Sequence, residues 1–590
     1  MIRESFIPYG NPPQEPTFDE LDAMGPYPEE PLLSMEEIDD VRDLRHLLPE
    51  ATQAQLAPDE IVVRVKDINL PERTVPPSTF KTFMKLARVA TLAEMGDNGP
   101  AIAALGGEDE SDAAQNRFVA PHIRDAILTA KLRIRRRNTE GGIESRLRFP
   151  KLMRATLMHT AEEGGIIDER FDPHRPFRQE KPGKAMLVNF GIRTPGGRKF
   201  SRFAGWGFPV FVSVDAAPLF ISETADYVAE EEPDFLSEPY TARDGLEHPM
   251  GQFLDLAVER LLADLDDSKD GFLEFKNLDP RDDKGMLNQA WADSAGAYVH
   301  KDGEWANHKD GIAAVEVQGY AYDALIKAAG LYREKFQEPD KAAVLEQRAA
   351  KLKRDFLDKF FITDERGTYA AMGRDYDDAG SPRNLEVRHA NMGLLLETGI
   401  LDGDGPEIAA KRQAVIDTIL SHGMLTKFGV RTLDKYEAAY RPGGDHVGQI
   451  WPHINEAIAR GLIKHGYLGS AHYLRQANMA IYLESRATPE YIRGDSQETI
   501  LDNQQMIVVL NEKYSKRPFM FEIPGQRLQA WGNEAILAAK YDYSGIKGTE
   551  QYRRRLPEVS PDPAIAAREA MLLAAAEHGG AGSPGIISRR

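Results

Sequence analysis

From about residue 200 onward, the sequence alternates helical stretches of about 12–20 residues with loops rich in Gly, Asp and Trp. No other feature limits the possible folds as strongly. Apolar spacing predicts helices over 216–230, 249–265, 312–335, 340–360, 386–398, 405–422, 448–465, 467–484, 498–513 and 527–541. Strands are few and short, as in Phe360–Thr363 and Thr368–Met372 around Asp364-Glu365-Arg366-Gly367. Helices in pairs with functional loops at one end fit a helical toroid, but periodicity alone does not separate that from other large α folds.

The flanks read differently. Residues 1–33 are rich in Pro and acids and predict an extended arm. Ser34 with Glu37 forms a capping-box pattern, and Leu33, Ile38, Val41, Leu44 and Leu48 give a short amphipathic helix. Ile61 to Val65 reads as a strand, Phe80 to Met95 as a helix and Gly96 to Asn116 as a loop. After Tyr543 come a Pro-rich linker, an Ala-rich helix near 563–577 and a Gly/Ser/Arg tail. The expectation is therefore a mainly α chain. It has an arm over 1–75, a mixed region over 76–200 packed on or continuous with the helical body, the body over 201–545, and a C-terminal helical tail over 546–590.

Charge and cysteine narrow the function. Lys plus Arg number 73 and Asp plus Glu 93, a balance of −20. That field repels nucleic-acid phosphates and anionic membranes, so neither is an expected partner. A basic run from Lys131 through Arg133, Arg135, Arg136, Arg137, Arg146, Arg148 and Lys151 to Arg154 reads as a solvated face or, alternatively, an anion site. Zero Cys among 590 residues excludes disulfides, thiolate catalysis and Cys-ligated metals. No stretch has the length of a spanning helix or a signal-peptide core, so a cytoplasmic protein is expected. Oligomeric state is left open.

Four loops gather aromatic, amide and carboxylate residues: Phe203 to Asp215, Asn288 to Ser294 with Glu316 to Tyr320, Tyr440 to Asn455, and Phe519 to Trp531. Trp and Tyr faces stack on sugar rings, while Asp, Asn, Gln and His hydrogen-bond ring hydroxyls. The chain has five Trp, and four of them (Trp206, Trp291, Trp451, Trp531) fall in these loops. The expected partner is a carbohydrate.

Glycosyl transfer to water needs two carboxyl groups. One must be protonated to donate to the departing oxygen, and the other ionised to activate water. Asp293 lies two residues after Trp291 and precedes a small Ser, and Glu522 lies between Phe521 and Ile523. Apolar settings of this kind can raise a carboxyl pKa by desolvation, and for Glu522 the alternative is a buried ion pair with Arg517 or Arg527.

These segments, in order, resemble the glucosidase domain of glycogen-debranching enzymes, the amylo-α-1,6-glucosidase group. Val214-Asp215-Ala216-Ala217-Pro218-Leu219-Phe220 is similar to V-D-A-T-P-L-F. Asp266 to Phe275 is similar to D-x-D-G-D-G-F-x-E-Y. Asn288 to Ser294 is similar to N-Q-G-W-K-D-S, and Glu316 to Tyr320 reads E-V-Q-G-Y unchanged. Gly429 to Leu433 is similar to G-I-R-T-L, Gly448 to Asn455 to G-S-V-W-P-H-D-N, and Gln529-Ala530-Trp531 to Q-A-W.

The resemblance covers somewhat over half the chain. It implies an (α/α)6 barrel (toroid) over 201–545, an inverting glycoside hydrolase, Asp293 as general acid and Glu522 as general base. It implies a sugar subsite built from Trp206, Asp215, Gln289, Trp291, Glu316, Gln318, Tyr320, Trp451, His453, Gln529 and Trp531. The substrate class is an α-glucosidic or related bond of a short oligosaccharide or small glycoside. Alternatives are an osmolyte glycoside such as glucosylglycerate or mannosylglycerate, whose anionic aglycone could use the basic segment, or a catalytically inactive carbohydrate-binding protein. No cofactor is required.

The sequence departs from the family pattern at Ala292 in place of Lys, at Ile454 in place of Asp, in a short loop between Glu522 and Gln529, and in lacking the usual N-terminal β-sandwich. Asp266, Ser268 and Asp270 fall on calcium-loop positions, but position twelve is Asn277 rather than Glu, so the turn reads as a helix connection, with calcium binding as the alternative, and no metal is assigned.

Overall fold

The computed structural model describes residues 38–40, 45–47, 61–65, 122–140, 143–164, 213–242, 245–276, 287–294, 296–485, 487–495, 506–510, 519–522, 525–544, 565 and 567–571. They are mainly helical. In chain order the helices are α1 (Ile123–Glu140), α2 (Ile143–Gly164), α3 (Ala216–Glu230), α4 (Met250–Asp267), α5 (Val315–Glu334), α6 (Pro339–Lys359), α7 (Asn391–Leu394), α8 (Pro406–Ile419), α9 (Pro452–Lys464), α10 (Leu468–Ser485) and α11 (Ala530–Ser544).

Local chemistry sets several of these boundaries. Pro339, Pro406 and Pro452 each open a helix, where the missing N–H costs nothing and the fixed φ is already helical.

Burial sorts the helices into two kinds. On α6 the buried residues Ala342, Leu345, Ala349, Leu352 and Phe356 form a single stripe, the signature of a helix with one face to solvent. α3, α5 and α9 are buried nearly all round; on α9, ten of the eleven residues from Pro452 to Leu462 are buried. Packing follows the same division. α1 packs on α3, α3 on α5, α5 on α7, α7 on α9, α9 on α11, and α11 back on α1. α2, α4, α6, α8 and α10 lie against this circuit. The core runs continuously from Ile123 through Phe253, Tyr332 and Leu395 to Trp531.

Strands are short and antiparallel. β1 (Ile38–Asp40), β2 (Ile61–Val65), β12 (Met506–Leu510) and β13 (Phe519–Glu522) form one sheet in that order, with Val508 opposite Val63 and Glu522 opposite Ile507. β3 (Pro239–Thr241) pairs with β4 (Glu247–Pro249), and β5 (Ala313–Ala314), β8 (Gly373–Tyr376) and β9 (Pro382–Leu385) form a small sheet. Two hairpins, β6–β7 (Phe361–Asp364, Gly367–Ala370) and β10–β11 (Leu425–Thr426, Gly429–Val430), complete the set.

Four expectations change. The helix expected over 498–513 contains strand β12, because the run Met506-Ile507-Val508-Val509-Leu510 is apolar and β-branched. Within the helix expected around 34–48, the described residues form β1 and the 3-10 turn Arg45–Leu47 instead. The helix over 386–398 shrinks to α7 and 3-10 turns, since His389 bridges to Leu433 and Ala390 N donates to Thr432 O at 2.7 Å. The helix over 448–465 starts only at Pro452, because Ile450 bridges both Arg431 and Ile492 in extended form. The strand at 61–65 and the helices at 216–230, 340–360 and 467–484 stand within a residue or two of expectation. The helix expected over 80–95 and the loop over 96–116 lie outside the described residues. No helix among the described residues is long and apolar enough to cross a membrane.

Candidate active site

The six helices of the circuit each contribute a polar or aromatic residue at or just before the first turn: Arg124 on α1, Asp215 before α3, Glu316 on α5, Asn391 on α7, His453 on α9 and Trp531 on α11. All six are buried. A helix start carries unpaired N–H groups and a positive dipole end, which favour negative charge near these turns.

Asp293 sits on the loop that enters this group. Its amide donates to Trp291 O at 2.9 Å, a tight turn. The loop is tied to the start of α3 by Val214 N donating to Gln289 O at 2.9 Å. Arg124 is tied into the loop as well: Nη1 donates to Ala290 O at 3.0 Å and Nη2 to Asp293 Oδ2 at 3.1 Å. The same guanidinium pairs with Asp125 at 3.1 Å and with Asp215 at 3.7 Å. Asp215 is fully buried and also accepts from Ser213 Oγ, whereas the Asp293 side chain keeps 29% of its surface exposed. Of the carboxyls around Arg124, Asp293 is therefore the one open to a reactant. Burial raises its pKa, and the Arg124 charge opposes that rise.

Glu316 is fully buried, and burial pushes it up to about 8, with the neighbouring Asp215 charge adding to the rise. Neither of its oxygens has a hydrogen bond of normal geometry among the described residues. The same holds for Trp291 Nε1, Trp451 Nε1, Trp531 Nε1, both ring nitrogens of His453 and the hydroxyl of Tyr298. Buried polar atoms are nearly always partnered, so this concentration of open donors and acceptors marks a place built for a polar ligand.

The aromatic rings hold one another. His453 stacks on Trp531 with centroids 3.9 Å apart, and His446 stacks on Trp451 at 4.9 Å. Trp291 meets Trp451 edge-on at 5.5 Å, and Tyr491 packs on Trp451 at 4.9 Å. His446 adopts a left-handed backbone, φ 59°, and its Nδ1 lies 3.0 Å from Ser294 Oγ. His389 donates through Nε2 to His446 O at 2.8 Å. Burial lowers His389 to about 3 and His446 to about 4, so both are neutral donors and acceptors at ordinary pH.

The expected site residues divide accordingly. Trp291, Trp451, His453, Trp531, Asp293, Asp215 and Glu316 come together. Gln318 is elsewhere in role. Its amide oxygen accepts from Leu273 N and its Nε2 donates to Leu273 O, each at 2.9 Å, bracing the turn after α4. Gln289 Nε2 donates to Lys276 O at 2.8 Å at the surface. Gln529 Nε2 donates to Glu490 Oε1 at 3.3 Å. Tyr320 lies on α5, where burial and the Glu316 charge raise its pKa. Trp206 and the side chain of Glu522 lie outside the described residues; the backbone of Glu522 ends β13. Arg124, Tyr298, Asn391 and Tyr491 were not anticipated. Their sequence surroundings carry no motif, and only the fold brings them in.

The acidic turn 266–274 engages its carboxylates with protein partners. Asp266 pairs with Arg348, Asp270 Oδ2 accepts from Arg374 Nε at 3.1 Å, and Glu274 Oε1 accepts from Tyr376 OH at 2.5 Å. Asn277 is outside the described residues, and no cluster of three or more potential ligands for a metal occurs among those described. The basic run is likewise engaged where its side chains are described: Lys131 pairs with Glu223 at 2.8 Å, and Arg154 with Glu232 and Glu238.

No curated protein matches the sequence. Three solved structures align along most of their length. A point variant of a glycosidase has 13% identity, covers 79% of this chain and 99% of its own, and has a TM-score of 0.44. A wild-type glycosidase has 14% identity with the same coverage and TM-score. An uncharacterized conserved protein from Thermus thermophilus has 12% identity, covers 78% and 100%, and has a TM-score of 0.42. Residues 255–498 match the family model described as the mannosylglycerate hydrolase MGH1-like glycoside hydrolase domain, a match that supports a glycoside hydrolase.

Proposed function

We propose that the chain is an inverting glycoside hydrolase on an (α/α)6 toroid. The inner ring would be α1, α3, α5, α7, α9 and α11, so that the barrel begins at α1. The observation that carries the reading is Asp293, a carboxyl pushed up in pKa yet still open, in one cluster with Trp291, Trp451 and Trp531, whose indole N–H groups have no partner among the described residues. Indole faces and N–H groups are what a sugar ring with its hydroxyls needs.

In this reading Asp293 protonates the glycosidic oxygen. Glu522 deprotonates water on the opposite face of the ring, which asks for a separation of roughly 6.5–9.5 Å between the two carboxyls. The leaving group departs neutral, and hydroxide from water ends on the anomeric carbon with inverted configuration. His453, Trp451 and Trp531 hold the sugar.

The substrate is a small glycoside. The match over 255–498 to a domain named for mannosylglycerate hydrolase supports glucosylglycerate or mannosylglycerate over a debranching substrate. An NMR time course with maltose, isomaltose, panose, glucosylglycerate and mannosylglycerate tests this. Free sugar appearing first as the inverted anomer, and absent with Asp293→Asn, supports the reading. Isomaltose or panose turned over ahead of the glycerates would restore the debranching specificity. No release by the wild type from any of the five would leave a carbohydrate-binding protein as the better account.

A further inference from the structure

Asp293 and Arg124 are 169 residues apart in the sequence and joined by a direct charge-assisted hydrogen bond. Arg124 lies outside the 255–498 segment that matches a family model. We propose that Arg124 is the positioning residue of the site: from the first turn of α1 it fixes the Asp293 carboxylate through Nη2 and the loop that carries Asp293 through Nη1. The inference rests on the reading of Asp293 as proton donor.

The geometry supports it in three ways. First, one planar guanidinium reaches both the Asp293 side chain and the loop backbone at Ala290, at 3.1 and 3.0 Å, so it sets the direction of the carboxylate as well as its place. Secondly, Arg124 is itself held: its other contacts, Asp125 at 3.1 Å and Asp215 at 3.7 Å, fix it in the ring, and it is 4% exposed. Thirdly, Asp215 is the end of that chain and is buried away from solvent, which leaves Asp293 as the partner that faces outward.

The other charged and titratable groups facing Asp293 are Asp125 from α1, Asp445 and His446 from the loop before α9, and Tyr298 from the loop after Asp293 itself; Asp215 faces it through Arg124. Among them Arg124 is the group that donates a hydrogen bond to the carboxylate and carries a permanent charge. Arg124 therefore has two opposed effects. It orients the acid, and it favours the acid's ionised form.

The test needs no substrate for its first arm. Full-length protein labelled with 13C at the Asp side-chain carboxyl would be titrated by NMR, with the Asp293 signal assigned by its loss in Asp293→Asn. The Asp293 midpoint should rise by roughly 1–3 pH units in Arg124→Gln and stay near the wild-type value in Arg124→Lys. An unchanged midpoint in a folded Arg124→Gln overturns the proposal. If that variant does not fold, Arg124→Lys serves alone. Its retained charge with a lost fork should leave the midpoint in place while lowering kcat on mannosylglycerate at least tenfold with KM within twofold, and an unchanged kcat overturns the proposal.

The second arm compares mannosylglycerate with α-mannosyl fluoride, whose leaving group needs little protonation. Arg124→Gln should lose kcat on the glycerate far more than on the fluoride, because Arg124 acts through the acid; equal losses mean a merely structural Arg. Failure of the underlying reading looks different: Asp293→Asn would then hydrolyse mannosylglycerate like the wild type while the NMR midpoint still moved in Arg124→Gln.

Discussion

The His453 imidazole lies flat on the Trp531 indole, with centroids 3.9 Å apart and planes 6° from parallel. The stack joins the first turn of α9 to the first turn of α11, and both His453 nitrogens and Trp531 Nε1 have no hydrogen bond among the described residues. Offset aromatic pairs contribute about 0.5–1.5 kcal/mol beyond their area burial. A double-mutant cycle with His453→Ala and Trp531→Leu, read by chemical unfolding, should return a coupling in that range. A coupling near zero would mean the contact does not hold the site together. Burial keeps His453 well below the ordinary histidine pKa, so His453→Gln should leave the pH limbs of hydrolysis where they are and act on KM.

The basic segment should not touch catalysis. Arg124 and the run Arg133 to Arg137 share α1, and nine to thirteen residues at 1.5 Å per residue set them roughly 14–20 Å apart along the axis. An anionic aglycone lying against Asp293 does not reach that end of the helix. Arg135→Gln with Arg136→Gln should leave KM for mannosylglycerate within about twofold of wild type. A selective rise in KM for the glycerates over a neutral glycoside would return these residues to substrate recognition.

What the sequence discloses, and what it hides, follows from interaction range. Pro at the first position of α6 and α8 is a local signal, and the expected starts at 340 and 405 fall within one residue of it, whereas at α9 the expected start at 448 falls ahead of Pro452. The 3.6-residue stripe of α6 is local too. Met506 to Leu510 misled because its neighbours suggest a helix, while β2, more than 400 positions away in the chain, supplies its hydrogen-bond partners. Asp293, Trp291, Trp451 and Trp531 stood out by composition, since aromatics among amides and carboxylates are rare in a core. Gln318 stood out in the same way and turned out to brace Leu273, because residue type alone does not tell which backbone it faces. Arg124 carried no local mark at all; its partners, Asp215 and Asp293, reach it through the packing of α1 on α3 and of the loop that carries Asp293.

Gly448 sits where the chain has no room for a side chain. A Cβ there would lie 1.9 Å from Arg441 O and 2.5 Å from its carbonyl carbon, and a Cβ on Gly494 would lie 1.8 Å from Gly448 O. These are backbone atoms pinned by Gly448 N to Thr432 Oγ1 at 2.8 Å and Gly494 N to Pro442 O at 2.7 Å, so neither segment can yield. Gly448→Ala should cost about 1–3 kcal/mol or more and lower kcat/KM, because Trp451 and His453 follow directly on the displaced segment. Gly330→Ala on α5, with nothing within 4 Å of its Cβ, should be neutral or gain about 0.5–1 kcal/mol. Thermal unfolding of the pair, with kcat/KM on the same samples, checks both. Equal effects at the two positions would contradict the packing described.

Glu316 gives the pH dependence a sign. Its unperturbed value is 4.5, and burial, then the Asp215 charge, push it up to about 8 in the folded chain, while Asn391 and Arg124 pull it partly back. Between those values the folded state holds a proton that the unfolded state has released. Stability from this residue is therefore fully present below about 4.5 and is lost as pH rises through about 8. Gln at this position has the shape of the protonated acid and cannot ionise. Glu316→Gln should match the wild type in unfolding temperature near pH 4.5 and exceed it above pH 8, by a free energy on the order of a few kcal/mol. The crossover separates two roles. A carboxylate needed in its charged form, as a base or an ion-pair partner, would make Glu316→Gln the less stable or less active protein at high pH, whereas a neutral carboxyl donating a hydrogen bond leaves Glu316→Gln active across the range. Melting curves of both proteins at pH 5 and pH 9 decide it, and a difference that does not grow with pH would show that Glu316 is ionised in the folded chain.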